Sequence, residues 1–456
     1  MGERLLKLTI DVLSQPAVLI ALISFIGLVL QKKPASEIIK GTTKSFLGFI
    51  IIAAGAGILV GSLEPFGKMF EEAFNVNGVV PNNEAIVAMA LTKYGTATAL
   101  IMFFGMIANI LIARFTNFKY IFLTGHHTLY MACIIAVILV VAGLSGAALI
   151  IVGSLALGLT MAVFPAIVQP FMRKIIGNDK VAFGHFSSVG YALSALVGKV
   201  VGKGSRSTED IKFPKGLGFL RDSSVTIALT MAILYGIIAL FAGPSYVESE
   251  LSNGNHYLVF SIVQAVTFAA GVFIILSGVR LVLAEIVPAF KGISDKLVPN
   301  SKPALDCPIV FPYAPNAVLI GFFCSFLGGI VGMFLLGVGG AVIILPGVVP
   351  HFFTGATAGV FGNATGGVRG ATIGSFVNGL IITFLPVFLM PVLGDLGFAS
   401  TTFSDADFAV TGILLGNVAN SLGAIGVTVM VVVLVLLVAL LGFFKKNKSQ
   451  SEQVGA

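Results

Sequence analysis

Four ionisable side chains stand out in a chain that otherwise avoids them: His126 and His127 in "FLTGHHTLYM", His185 in "VAFGHFSSVG" and Asp306 in "ALDCPIVFPYAPNA". Each lies among small or turn-forming residues and opens onto an apolar run. In a membrane-embedded chain, that is where an ionisable group marks a pathway or a binding site. Imidazoles and carboxylates offer hydrogen bonds and proton transfer near neutral pH, so the chemistry open to them is recognition of a polar molecule or a proton relay. Adjacent helix positions point about 100° apart. His126 and His127 therefore cannot both face one small ligand from a regular helix, and of the two only His126 is expected to line a site. Asp306 reads either as the cap of a helix start or as a polar anchor and proton acceptor at a cavity mouth. His256 and His351, beside interface turns, read as packing residues.

Other chemistries are set aside. The sequence has no P-loop, no GxGxxG after a strand and no HExxH helix, and no His or acid pair has the i, i+3 or i, i+4 spacing that puts metal ligands on one helix face. Neither a cofactor nor a metal is expected. Cys133, Cys307 and Cys324 have no knuckle or redox spacing and read as buried packing residues.

The elements that must position these residues are membrane helices. Of 456 residues, 57% are hydrophobic and only 10% charged, and mean hydropathy is +1.03; a soluble domain carries roughly 25% charged residues. Apolar runs at about 16–31, 46–62, 95–113, 128–145, 147–171, 224–243, 258–284, 316–345, 371–392, 408–421 and 424–444 predict an all-α polytopic membrane protein of about eleven spans. The net charge of +7 sits in clusters beside these runs, which fits the positive-inside rule and not a nucleic-acid partner. Lys32 and Lys33 end the first run, and Lys445, Lys446 and Lys448 end the last. The N-terminus is therefore expected outside and the C-terminus in the cytoplasm, with the first span an uncleaved insertion signal.

Three stretches are too polar for simple spans and too apolar for solvated loops: 48–62 with Gly55 and Gly57, 181–198 with His185, and 304–317 with Asp306. Irregular backbone at membrane depth is tolerated where it lines a cavity, so these are expected to be re-entrant and near the site. The resemblance of 38–49 to 289–300, and of 122–127 to 352–357, points to a duplication with repeats of about 1–201 and 225–444. These form a single embedded unit, 1–444, with a cytoplasmic linker at 202–224 and a polar cytoplasmic tail at 445–456.

At "LTGHH", "AFGHFSS", "ALDCPIVFPYAPNAV" and "ILPGVVPHFFTGATAGVFGN" the sequence resembles the membrane (EIIC) component of the L-ascorbate phosphotransferase system. The resemblance implies a homodimer in the lipid of a bacterial inner membrane, re-entrant hairpins, inverted repeats, and a core domain that moves against a V-motif scaffold. It further implies uptake of L-ascorbate or a related sugar acid and its presentation to cytosolic EIIB and EIIA partners for phosphorylation to the 6-phosphate. The chain itself would be the translocating component, without a phosphorylation site of its own. Carried over residue by residue, the substrate site would comprise Gly55, Ala56, Asn83, His126, Tyr130, His185, Phe186 and Asp306, with Asp306 as proton acceptor. At Ala53, Ala56, Tyr130 and Phe186 the family pattern has Gln, Ser, Gln and Gln, so the pocket has lost side-chain donors and acceptors and the substrate is open to change. An ion-coupled secondary transporter of a polar anion or polyol is the competing reading, with Asp306 and His185 as the relay.

Overall fold

The computed structural model describes residues 16–74, 78–212, 216, 219 and 222–454. The residues before Pro16 lie outside them, as do the side chains of the polar tail. The long elements, in chain order, are α1 (Pro16–Leu30), α2 (Ala35–Phe74), β1 (Gly78–Pro81), α3 (Asn83–Phe115), β2 (Tyr120–Phe122), α4 (Gly125–Val141), α5 (Gly146–Ile176), β3 (Ala182–Phe183), α6 (Ser188–Val201), α7 (Ser223–Ala242), α8 (Tyr257–Leu297), β4 (Lys302–Leu305), α9 (Pro315–Val338), β5 (Ile343–Ile344), α10 (Ala356–Leu389), β6 (Thr401–Thr402) and α11 (Ala406–Val454). Eight helical stretches among the described residues are long and apolar enough to cross a membrane, and α4 and α6 are shorter apolar helices.

All eleven predicted runs fall on helices. Two of the longest helices are folded at a glycine: α10 at Gly367, with φ 56°, and α11 at Gly423, with φ 64°. Positive φ is accessible to glycine without a Cβ penalty. The break in α11 falls between the predicted runs 408–421 and 424–444. One expectation fails here. The stretch 48–62 is not irregular but lies inside the continuous helix α2, because Gly55 and Gly57 can keep helical dihedrals as readily as any residue and cost propensity only.

Packing separates the helices into two groups. Helices α1, α2, α7 and α8 lie against one another, while α3, α4, α5, α6, α9, α10 and α11 form the second group. In the second group glycines let backbones touch: a Cβ on Gly321 of α9 would stand 2.5 Å from the Gly355 carbonyl oxygen and 2.8 Å from the Gly359 Cα. Such close approach is how membrane helices gain packing energy where lipid removes the hydrophobic drive.

Composition gave no hint of two miniature parallel sheets. One has the order β5-β1-β6, with Gly78 opposite Ile343 and Pro81 opposite Thr402; the other has the order β2-β4-β3, with Tyr120 opposite Lys302 and Phe183 opposite Leu305. Each sheet takes its central strand from one part of the chain and both flanking strands from the other. The first part's β1 sits between β5 and β6, and the second part's β4 sits between β2 and β3. Of the two sequence similarities used to infer duplication, that of 122–127 to 352–357 falls at or after the ends of the flanking strands β2 and β5, whereas that of 38–49 to 289–300 does not follow this symmetry. Residues 38–49 open α2, well before β1, whereas 289–300 close α8 and lead directly into β4.

Candidate functional site

All six strands run into a helix or helical turn at their C-terminal ends, and the six turns meet around one cavity. With its open mouth the cavity measures about 570 Å³, within the range of small-molecule sites. The turn after β1 contributes Asn83 and Glu84, that after β2 His126 and His127, and that after β3 His185. The turn after β4 contributes Asp306 and Cys307, that after β5 Val349, Pro350 and Phe353, and that after β6 Ser404 and Asp405. Val272 of α8 completes the wall, so the cavity lies where the two helix groups face each other. Open parallel α/β sheets bind ligands at the carboxyl ends of their strands because loops and helix N-termini gather there. Here two short sheets buried among membrane helices produce the same gathering.

Local sequence explains each turn. Asn82 caps α3, its side-chain oxygen accepting the Ala85 N–H at 2.8 Å. Asp306 accepts the Cys307 N–H at 2.7 Å, and Pro308 and Pro312 occupy the second positions of the two 3-10 turns and Pro315 the first of α9, where a missing N–H is harmless. Asp306 therefore both caps a turn and lines the cavity. After β3, a Cβ on Gly184 would stand 2.5 Å from the Ala304 carbonyl oxygen, so glycine permits the approach that delivers His185.

The imidazoles and carboxylates stand in near-contact. His126 Nε2 lies 3.8 Å from Asp306 Oδ2, His127 Nε2 3.9 Å from Asp405 Oδ2, and His185 Nδ1 3.7 Å from the same Asp405 oxygen. The His127 and His185 rings are 3.9 Å apart between centroids. His185 is held by Tyr191, whose hydroxyl is 2.8 Å from Nδ1. Asp405 Oδ1 accepts Asn83 Nδ2 at 3.0 Å and Ser404 Oγ at 2.7 Å, and Asn83 Oδ1 accepts the Ser404 N–H at 2.9 Å. Behind them Asp407 accepts the N–H groups of Ser188 at 2.7 Å and Val189 at 2.9 Å, capping α6 from the first turn of α11. No Lys or Arg is among the cavity's described lining residues. The arrangement offers a sugar-sized molecule many hydrogen-bond acceptors and imidazole donors on a rigid frame.

Of the residues named from sequence, Asn83, His126, His185 and Asp306 line the cavity. Tyr130 is buried one turn behind, its ring 5.7 Å from that of His126. Phe186 is buried, its ring stacked on Phe122 at 4.5 Å. Gly55 lies within α2 and is not among the cavity's described lining residues, and the side chain of Ala56 lies outside the described residues. His127, expected to face elsewhere, lines the cavity beside His126. The 100° argument holds for a ligand in front of a helix, but this cavity wraps around the N-terminus of α4. Cys307 likewise lines it and is not simply a packing residue. His351 does pack: Ser325 Oγ lies 2.9 Å from its Nδ1 and the residue is buried.

Asp405, Ser404 and Glu84 escaped the sequence reading. "FSDADF" places two acids ahead of the most apolar run of the chain, and that isolation was the available signal. Spacing also proved a poor guide to ligand grouping. His126, His127 and Asp306 come within 4.8 Å of one another, as do His127, His185 and Asp405, and His185, Asp306 and Cys307. The Phe186 N–H donates to His127 Nδ1 at 3.2 Å, so a metal on Nε2 would require an imidazolate or the loss of that bond.

A family model described as the sugar-specific permease component of the PTS system, EIIC-GAT, matches residues 11–407. The ascorbate-specific PTS system EIIC component of Mycoplasma pneumoniae is 25% identical over 369 residues, covering 71% of this chain and 55% of that relative. The chain thus spans about half the length of the curated relative it matches. With a family match across most of its length, a polytopic helical fold and a polar cavity at the join of two helix groups, the chain belongs to the EIIC-GAT family of PTS sugar permease components.

Proposed function

We propose that this chain is the translocating subunit of a phosphotransferase system. In this reading it binds a hydroxyl-rich, sugar-sized molecule in the cavity and presents it to a cytosolic EIIB, itself recharged by EIIA. L-ascorbate or a related sugar acid is the first candidate, from the name of the Mycoplasma relative. The observation that carries the reading is the convergence of six strand-to-helix turns, with three imidazoles and the carboxylates of Glu84, Asp306 and Asp405, on one cavity between two helix groups. A cavity at such a join changes its access when one group moves against the other, as alternating access requires.

The phosphoryl step is an in-line displacement. The substrate hydroxyl oxygen forms the new bond to phosphorus, the sulfur–phosphorus bond of the EIIB phosphocysteine breaks, and the thiolate leaves. The hydroxyl proton passes to Asp306, and positioning does most of the remaining work. We read the exchange of central strands between the sheets as the mark of two repeats, about 1–201 and 225–444. In the same reading the protein is a homodimer in the inner membrane of a bacterium, N-terminus outside and C-terminus cytoplasmic.

The His–Asp near-contacts favour a second reading, an ion-coupled transporter with Asp306, Asp405 and His185 as the relay. Uptake of radiolabelled L-ascorbate into cells carrying the matching EIIA and EIIB tests both. Phosphorylation-coupled uptake survives a short exposure to an uncoupler and yields the 6-phosphate; ion-coupled uptake collapses and yields free substrate. Unimpaired coupled uptake by Asp306→Asn would remove that residue from the proton step.

A further inference from the structure

We infer that His127 and Asp405 together read one hydroxyl group of the substrate, His127 donating to its oxygen and Asp405 accepting its proton. This rests on the sugar-permease reading and adds to it a residue pair and a rule of selection.

The direction of each hydrogen bond is set by the surroundings. Because the backbone N–H of Phe186 donates to His127 Nδ1 at 3.2 Å, that nitrogen is an acceptor, and a neutral ring carries its proton on Nε2. Asp405 has its Oδ1 committed to Asn83 and Ser404, which leaves Oδ2 as the oxygen facing His127. The two facing atoms are 3.9 Å apart, too far for a direct hydrogen bond and well placed for one oxygen between them at about 2.8 Å from each. Both residues line the cavity.

The pair is also fixed in place. His127 is 3% exposed, with the Phe408 ring stacked on one side at 5.4 Å and 13° and the His185 ring at 3.9 Å on another. A donor and an acceptor held this way cannot reorient to suit a different group. A hydroxyl satisfies both, since it accepts and donates at once. A carboxylate or enolate oxygen has no proton for Asp405, and a deoxy carbon leaves both polar groups buried and unpaired. The subsite therefore selects a neutral hydroxyl-bearing carbon at this point of the substrate, whatever charge the rest of it carries.

The test is equilibrium binding to purified full-length protein in lipid nanodiscs. L-ascorbate, hexitols and aldohexoses are screened first, followed by the single-deoxy analogues of the best ligand. Wild type is expected to bind one deoxy analogue about 10- to 100-fold more weakly than its parent. In His127→Leu and Asp405→Asn the parent should weaken by about 10-fold or more and the deoxy penalty at that carbon should fall to about 2-fold. His127→Gln, which restores an N–H donor, should recover most of the affinity and most of the penalty. It also carries the test if the leucine variant does not fold. A deoxy penalty that stays at its wild-type size in both His127→Leu and Asp405→Asn overturns the assignment, because a packing role alone would lower affinity for parent and analogue equally. If no compound binds wild type, the sugar-permease reading itself falls, and the assignment with it.

Discussion

The two miniature sheets share one plan and deliver different chemistry. In β2-β4-β3 the three turns bring His126, His127, His185, Asp306 and Cys307, five side chains with ligating or titrating atoms. In β5-β1-β6 the turns bring Asn83, Glu84, Ser404 and Asp405 together with an apolar wall of Val349, Pro350 and Phe353. The edges differ as well. The Asn109 amide serves β2 in place of a further strand, donating to the Tyr120 carbonyl at 3.1 Å and accepting the Phe122 N–H at 3.1 Å. At β6 the side-chain bond runs inward instead, Thr401 Oγ1 donating to the Val80 carbonyl of β1 at 2.8 Å. One backbone device can therefore carry an imidazole-rich half-site and a half-site that joins two carboxylates to an apolar wall, and perturbing each should show how binding divides between them.

The largest effect is expected at the glycines that admit each turn. A Cβ on Gly184 would stand 2.5 Å from the Ala304 carbonyl oxygen, and one on Gly347 2.6 Å from the Pro81 carbonyl oxygen. Overpacking against backbone should cost about 3 kcal/mol or more in each Val variant, read as a lowered Tm in detergent. If the sheets differ as described, a Gly184→Val protein that still folds loses ligand binding, while a folded Gly347→Val protein keeps part of it. Equal losses would erase the distinction.

Next is Asn109→Leu. It strands the Tyr120 carbonyl and the Phe122 N–H in a buried setting, and about 1–3 kcal/mol per group should appear as faster hydrogen exchange confined to β2 and the start of α4. Asp407→Ala tests the joint between the sheets' outgoing helices. Losing the acceptor for the Ser188 and Val189 N–H groups should lower stability by about 1–3 kcal/mol and displace the His185 turn. Asp407→Asn, which keeps one oxygen, should lose less. Unchanged melting in the alanine variant would mean water replaces the carboxylate.

The smallest effect lies at the outer end of β2-β4-β3, where Asp179 meets Lys302 Nζ at 2.6 Å and Arg173 Nε at 2.9 Å. Partial burial pushes the Asp179 carboxyl up, but hydrogen bonds from Lys302, Gln169 and Arg173 outweigh it and hold the group at about 2 against an ordinary 3.8. A depressed carboxylate stabilises the fold fully above the ordinary value and loses that contribution as pH falls through about 2. With Asp179 46% exposed, screening limits the contribution to under about 1 kcal/mol. Asp179→Asn should lower Tm at pH 7 by the corresponding small amount, meet the wild-type curve near pH 2 and so flatten the acid limb between these two values.

The sequence by itself determined the solvent in which this protein folds. A chain with 10% charged residues cannot present a polar surface, and its apolar runs had to become helices because only helices satisfy their own backbone in lipid. It also exposed His126, His185 and Asp306, because ionisable groups are rare enough in such a chain to be conspicuous, while Asn83 came only through the family resemblance. Tertiary structure alone decided the rest. Strands of two or three residues leave no period to read, and their pairing joins positions as distant as Val80 and Thr401. The proximity of His127 to Asp405, and the proton position imposed on His127 by the Phe186 amide, depend on where separate turns come to lie around a helix end. Neighbouring residues cannot encode that, because it is a property of the packed backbone.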